Sequence, residues 1–441
     1  MQSPSPPGRT RAIVATSIGN TLEWYDFVVY AQFAAYIAGN FFPGADANTR
    51  LLKAFLAFGV GFLVRPLGAV LIGGYGDRVG RKAALTFTIF LMALGTGVIA
   101  FSPTYAAIGI GAPILLLLGR VLQGLSAGGE VGGATAYLFE SAPPRQRGMI
   151  SAWLQASMGM ANIVGAVVAF SVTALLGSNA VGAWGWRIPF IFGLLIVPAG
   201  LFLRRSLEET QAFQVEAARR GHSRPAPWRE VFRDHGRGLC VGLCIAALWA
   251  VASYVLVIFM PTYVQRPDTY GFTARQAFGA SVLGNIPLVI GCIYFGHLSD
   301  RIGRRTMLRL SALLLFVCVI PLFMWLRAVP TTTTLILFQS ALCALVSTIG
   351  GVAPAALAEI FPTSVRTTGT AMVYNAAFAL FGGFAPAILT WLTQRPGGAL
   401  FAPAWYVMLA ATLALIAIPF LEATESVASP GRNVEAARTI S

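Results

Sequence analysis

Long apolar runs, separated by short polar connections, recur twelve times along this chain of 441 residues. Each run can cross a hydrocarbon core of about 30 Å as a helix rising about 1.5 Å per residue. They fall at 12–42, 51–76, 83–101, 112–139, 149–176 and 188–203, then at 238–263, 277–298, 307–326, 335–360, 370–392 and 404–421. The longest polar stretch, 204–237, carries eight arginines and an amphipathic piece over 207–218. The pattern predicts an all-α membrane protein with twelve transmembrane helices in two six-helix bundles, 12–203 and 238–421. Residues 204–237 then form the linker between the bundles, and 1–11 and 422–441 form the tails.

Composition agrees. With 56% hydrophobic and 11% charged residues, the chain is no ordinary soluble protein. The net charge of +14 changes meaning once it is located. Of the 31 Lys and Arg, 22 fall on one side, in the tails, the linker, the loops and the adjoining span end; seven fall on the other side, and two, Arg65 and Arg120, lie deep within spans. That asymmetry predicts a multi-pass protein of the cytoplasmic (inner) membrane with both termini inside. A nucleic-acid surface would need clustered basic and aromatic residues on a solvated domain, and none exists, so no nucleic acid is expected. The expected partners are the lipid bilayer, a small molecule and protons, with the protein acting as a monomer. Cys240, Cys244, Cys292, Cys318 and Cys343 lie in apolar runs without metal-ligand spacing, so neither a disulfide framework nor a metal site is expected. The first apolar run is too long for a signal-peptide core, which predicts no cleaved targeting segment. No nucleotide loop or nucleophile triad appears; an enzyme and an organic cofactor are not expected.

The two halves echo each other. Gly73-x3-Asp77-Arg78-x-Gly80-Arg81-Lys82 follows the second run, and Gly296-x3-Asp300-Arg301-x-Gly303-Arg304-Arg305 follows the eighth. Glu140 and Arg147 are matched by Glu359 and Arg366, with the same spacing of seven. Two motifs at nearly one offset imply duplicated halves, the architecture on which alternating access is built. These paired loops resemble the signature of the major facilitator superfamily. The Gly19-Asn20-x2-Glu23-Trp24-Tyr25-Asp26-Phe27 start narrows the likeness, as do Gly119-Arg120-Val121-Leu122-Gln123-Gly124 and Trp184-Gly185-Trp186-Arg187-Ile188-Pro189-Phe190. Together they resemble the metabolite:proton symporter family, whose members carry organic acids or zwitterionic osmolytes with protons. The resemblance implies protons as the coupling ion.

The charged loops predict a gate. Asp77, among Arg78, Arg81 and Lys82, can pair with arginine or lie at a helix N-terminus of the other half, the eleventh span being the expected one. Asp300, Arg304, Glu359 and Arg366 would build the matching cluster, with Glu140 and Arg147 as the corresponding pair of the first half. The competing reading is that these charges merely fix topology.

Inside the spans, Asn20, Glu23, Asp26 and Tyr30 share one helix face at three- and four-residue spacing. A charge at bilayer depth costs at least about 2.5–3.5 kcal/mol, so these groups should face a pathway, not lipid. Asp26 and Arg120 reach comparable depths and should pair. In related symporters the matching Asp and Arg couple the proton, and the resemblance carries that role to Asp26 and Arg120. Glu23 is the second proton candidate, and Glu130, amid glycines spaced for close helix packing, a third; a static ion pair or an interhelical bond is the bland alternative. Arg120 is also a candidate to attract an anionic substrate. Arg65 is open between that role, snorkelling and the gate. Tyr30, Gln123, Gln155 and Asn162 are candidate cavity residues of the first half, with Tyr254, Asn285, Tyr374 and Asn375 facing them from the second. Glycine and proline at 350–354 and 382–386 would bend the tenth and eleventh spans. The expected function is proton-coupled import of a small organic acid by alternating access, such as citrate, 2-oxoglutarate or another carboxylate. The alternatives are a zwitterionic osmolyte (betaine or proline), drug–proton antiport, and a transport-dead sensor. The short C-terminal tail without heptads argues against the osmosensing type. The absence of a glycine–proline motif in the fifth span argues against the antiporter.

Overall fold

The computed structural model describes residues 6–44, 46–79, 81–128, 130–194, 198, 227–363, 365–394 and 400–421. Among these residues the regular structure is helical throughout, and no strand occurs. Eight helices are long and apolar enough to cross a membrane, and Thr86–Phe101 and Gly111–Ala127 are shorter apolar helices.

The first span is Pro6–Gln32 continued by Ala34–Phe41, so its helix begins inside the expected 1–11 tail. The second runs Ala47–Leu63 and Arg65–Val79, and the third is Arg81–Phe101. Gly111–Ala127 and Glu130–Ser141 form the fourth, and Arg147–Ser151 with Trp153–Leu175 the fifth. Of the sixth, residues 188–194 and 198 are described. The seventh is Gly236–Ser253, a π-helical turn at Tyr254–Phe259, and Met260–Gln265. Ala274–Ile302 and Arg304–Ala328 are the eighth and ninth, followed by Thr332–Gly350 and Ala353–Ile360 as the tenth. The eleventh is Arg366–Ala377, a second π-helical turn at Phe378–Gly383, and Ala385–Thr393; Ala402–Ala417 is the twelfth. The expected bends at 350–354 and 382–386 coincide with these breaks. The expected linker 204–237 holds a helix, Pro227–Asp234, whose proline at the start suits a first turn. The amphipathic piece 207–218 lies outside the described residues, as does 422–441.

Within the first half, spans two and four pack backbone to backbone. A Cβ on Gly124 or on Gly128 would collide with the carbonyl oxygen of Gly61 or of Arg65, and one on Gly68 would strike that of Leu125. Small residues allow this approach where lipid offers no hydrophobic drive between helices.

Among the described residues the halves touch at both ends and between them. At the end bearing the polar loops, hereafter the motif end, the eighth span meets the fifth, where Gly296 lies against Gly148. At the far end the Thr262 hydroxyl donates to the Ala31 carbonyl at 3.1 Å, and Phe33 stacks on Phe278 with centroids 6.0 Å apart. Between them, Gly59 abuts the Phe384 ring and Gly383 the Phe62 ring, a reciprocal fit that brings spans two and eleven close. The halves are thus in contact at both ends.

Candidate functional site

At the motif end, Asp300 accepts hydrogen bonds from the backbone N–H of Gly148 (2.8 Å) and Met149 (3.0 Å), capping the start of the fifth span from the other half. A carboxylate here satisfies N–H groups with no helical partner and meets the positive end of the helix dipole. Arg304 fixes Asp300 from its own half at 2.6 Å and reaches Glu359 at 3.2 Å and the Ser299 hydroxyl at 2.5 Å. The expected matching cluster is thus built from Asp300, Arg304 and Glu359, but Arg366 does not join it. Arg366 pairs with Glu140 of the first half at 2.8 Å, because its Nε is tied to the Ala358 carbonyl and turns the guanidinium across the junction. Arg147 and Arg366 both lie over the Phe139 ring, at 4.7 and 5.1 Å. The side chains of Asp77, Arg78, Arg81 and Glu130 lie outside the described residues.

Deeper in, the direct Asp26–Arg120 pair does not form. The Thr96 hydroxyl donates to Asp26 Oδ2, Gln123 Nε2 donates to Thr96 Oγ1 at 2.9 Å, and Arg120 Nη1 donates to Gln123 Oε1 at 2.8 Å. The two charges therefore sit at the ends of a relay, Asp26–Thr96–Gln123–Arg120, joining spans one, three and four. Asp26 Oδ1 faces Gly193 of the sixth span; a Cβ there would lie 2.7 Å away. The reason is helical geometry: each three-residue step precesses by about 60°, so Asp26 lies about 120° around from Asn20. The single polar face fans out accordingly. Asn20 bonds Leu154 O (3.1 Å) and Ser157 Oγ (2.7 Å) of the fifth span, while Glu23 is an electrostatic neighbour of Tyr374. Glu23 and Asp26 are both buried.

Arg120 is fully buried, its guanidinium 4.8, 4.5 and 4.9 Å from the rings of Phe27, Tyr30 and Phe58. Tyr30 and Gln123 lie inside the first half, not on the junction. The Tyr30 hydroxyl is spent on the Ala54 carbonyl at 2.9 Å, and Gln123 serves the relay. Arg65 neither snorkels nor reaches the gate. The span continues through Val64 with helical backbone, and the Arg65 side chain turns inward, where it is fully buried against Trp24, Phe27 and Phe62 at 5.3, 4.6 and 4.2 Å.

Across the junction Tyr254 packs edge-on against Phe62 (5.3 Å) and Trp24 (6.1 Å), and Phe378 lies between Trp24 and Tyr374. Trp249 Nε1 donates to Gln155 Oε1 at 2.6 Å, and Asn375 Nδ2 reaches Gly128 O at 3.3 Å, each bond crossing from one half to the other. Gln155, Tyr254, Tyr374 and Asn375 thus sit on the junction. The amides of Asn162 and Asn285 turn back onto their own helices, at Met158 and Ser281. Thr96, Trp24 and Trp249 were not singled out from sequence. Trp24 stood in the family motif, but a threonine or tryptophan in an apolar run carries no charge signal.

Two six-helix bundles meeting at a polar, aromatic-lined core, with interlocking charges at one end, are the architecture of a membrane transporter. The comparisons bear this out: the family model for the Major Facilitator Superfamily matches residues 27–353, and the chain belongs to that superfamily. It is 38% identical over 417 residues to a citrate-proton symporter of Salmonella typhi, covering 94% of each chain. It is 36% identical to a glycine betaine/proline/ectoine/pipecolic acid transporter of Dickeya dadantii (strain 3937), covering 95% of this chain and 84% of that one. The fold matches the crystal structure of a D-xylose-proton symporter with a TM-score of 0.72 at 17% identity, over 95% of this chain and 98% of that one. The chain is a multi-pass transporter and not an enzyme.

Proposed function

We propose that this chain is a proton-coupled symporter of the cytoplasmic membrane that imports a small organic anion, with the motif end and both termini facing the cytoplasm. One observation carries the reading. Arg65 and Arg120 are both fully buried, flank the same Phe27 ring, and form no ion pair with a carboxylate among the described residues. Two buried guanidinium groups with no carboxylate in direct contact are costly, and an anion that joins them offsets that cost. Asp26, at the end of the relay, is the proton carrier in this reading, with Glu23 beside the junction. The citrate-proton symporter among the relatives supports a carboxylate cargo.

A zwitterion is the second reading, favoured by the rings of Trp24, Tyr254 and Phe378 on the junction, which suit a quaternary ammonium. It is also supported by the betaine-carrying relative. Purified protein in liposomes, acid outside, tests both: labelled citrate should accumulate, collapse with a protonophore, and fail to accumulate in Asp26→Asn. Gradient-driven accumulation by Asp26→Asn equal to wild type would remove Asp26 from the mechanism. Accumulation of glycine betaine but no organic acid would select the second reading.

A further inference from the structure

Arg65 has a second property that pairing with Arg120 does not explain. Its Nε, Nη1 and Nη2 all lack a hydrogen-bond partner, although the residue is fully buried. The hydroxyls of Tyr254 and Tyr374, from the seventh and eleventh spans, are likewise buried and without a partner. These groups converge. Arg65 lies on the rings of Trp24 and Phe62, both of which touch Tyr254. Tyr374 stacks on Phe378 at 3.9 Å, and Phe378 in turn touches Tyr254 at 5.8 Å and Trp24. The Arg65 charge is an electrostatic neighbour of both tyrosines and comes within loose hydrogen-bonding reach of Tyr374, which brings the three polar groups to one place. Buried donors are nearly always satisfied, so a cluster of unspent ones aimed at one place marks a missing acceptor.

We propose that Arg65, Tyr254 and Tyr374 form a carboxylate-binding subsite that straddles the two halves. This rests on the reading above that the cargo is an organic anion or zwitterion, and it adds which group of the cargo is held and by what. A planar guanidinium takes a carboxylate through two parallel N–H bonds, and the tyrosines donate to its remaining lone pairs. Arginine comes from the first half and both tyrosines from the second, so a bound carboxylate would tie the halves together at their centre. Citrate and glycine betaine, cargoes of two relatives, both carry a carboxylate, and the subsite would serve either.

The test measures binding of citrate and of glycine betaine to purified full-length protein by calorimetry, alongside melting temperature. In Arg65→Met the dissociation constant should rise by roughly 100-fold, because charge-assisted bonds are lost. The unliganded variant should melt no lower than wild type, because an unpaired buried charge has gone. An arginine with a purely structural role gives the opposite result, a lower melting point with unchanged affinity, and would overturn the proposal. If Arg65→Met does not fold, Tyr254→Phe/Tyr374→Phe decides: affinity about tenfold weaker supports the subsite, and unchanged affinity overturns it. A loss confined to one ligand identifies that ligand as the subsite's occupant. Wild-type protein that binds neither these two nor any other of a panel of carboxylates overturns both the subsite and the proposed function. Binding weakened by Arg65→Met, but uptake indifferent to the proton gradient, leaves the subsite standing and removes the symport.

Discussion

Replacing Asp300 by Asn should unlatch the motif end. The Asp300 carboxylate is 2% exposed and accepts two backbone N–H bonds from the opposite half. Hydrogen bonds to a buried charge are worth about 1.5–3 kcal/mol each, and a neutral amide oxygen recovers about 1. The closed motif end therefore loses roughly 2–5 kcal/mol, a shift of roughly 30- to 5000-fold toward the open form. Arg304 retains Glu359 at 3.2 Å, so the cluster within the second half survives and the loss falls on the bond between the halves. Spin labels at the exposed positions Arg145 and Arg309, one on each half, would read the change by pulsed dipolar spectroscopy. A longer-distance population should appear in Asp300→Asn and stay small in Glu140→Gln. The Glu140 side chain is 46% exposed, and such ion pairs contribute at most about 1 kcal/mol. Identical distance distributions for wild type and Asp300→Asn would refute the latch.

Thr96→Val is nearly isosteric yet removes the hydroxyl at the centre of the relay. Gradient-driven accumulation should fall about tenfold or more, from the 1–3 kcal/mol cost of an orphaned buried partner, while substrate counterflow persists and Thr96→Ser restores coupling. Unaltered accumulation by Thr96→Val would show that the relay is idle. Gly124→Ala should lower the melting temperature, since its Cβ would strike the Gly61 carbonyl, with overpacking typically costing about 1–3 kcal/mol. Gly133→Ala is the control, with nothing within 4 Å, and should be neutral or slightly stabilising.

What could be read from the sequence was what repetition and charge make conspicuous. The duplicated Asp-Arg-x-Gly-Arg loops exposed the two halves, and a lone aspartate and arginine at matched depth exposed both ends of the relay. The middle of that relay was hidden, because Thr96 in 83–101 looks like any small polar residue in a span. The direct Asp26–Arg120 pairing failed because depth counting ignores azimuth, and Asp26 is turned toward the third and sixth spans. Arg65 stays open between substrate, snorkelling and the gate in the sequence for a related reason: counting depth along the helix does not say which way its side chain turns, and it turns onto Trp24, Phe27 and Phe62. The π-helical turn at Tyr254–Phe259 has no glycine or proline within it to announce it, yet it carries one of the tyrosines of the proposed subsite.

Under the proposed function, with Asp26 as proton carrier, its separation from Arg120 bears on how the proton is loaded. A direct ion pair would have to be broken to load a proton, leaving an uncompensated buried charge. A relay of neutral dipoles instead lets Asp26 take a proton while Arg120 keeps Gln123. Neutralising Asp26 removes the negative end of that network, so the field around Arg65 and Arg120 becomes more positive and an anion binds more tightly. Linkage requires the reciprocal: a bound anion makes the proton easier to load, with couplings typically about 1–3 kcal/mol, or roughly 5- to 150-fold. The affinity for citrate should therefore rise as pH falls in wild type, and Asp26→Asn should bind citrate tightly at every pH. A zwitterion brings no net charge and should show a much weaker dependence, so the same titration with glycine betaine separates the field effect from a direct contact. Citrate affinity that is flat with pH in wild type would show that Asp26 and the arginines do not sense each other, and the relay would be structure without coupling.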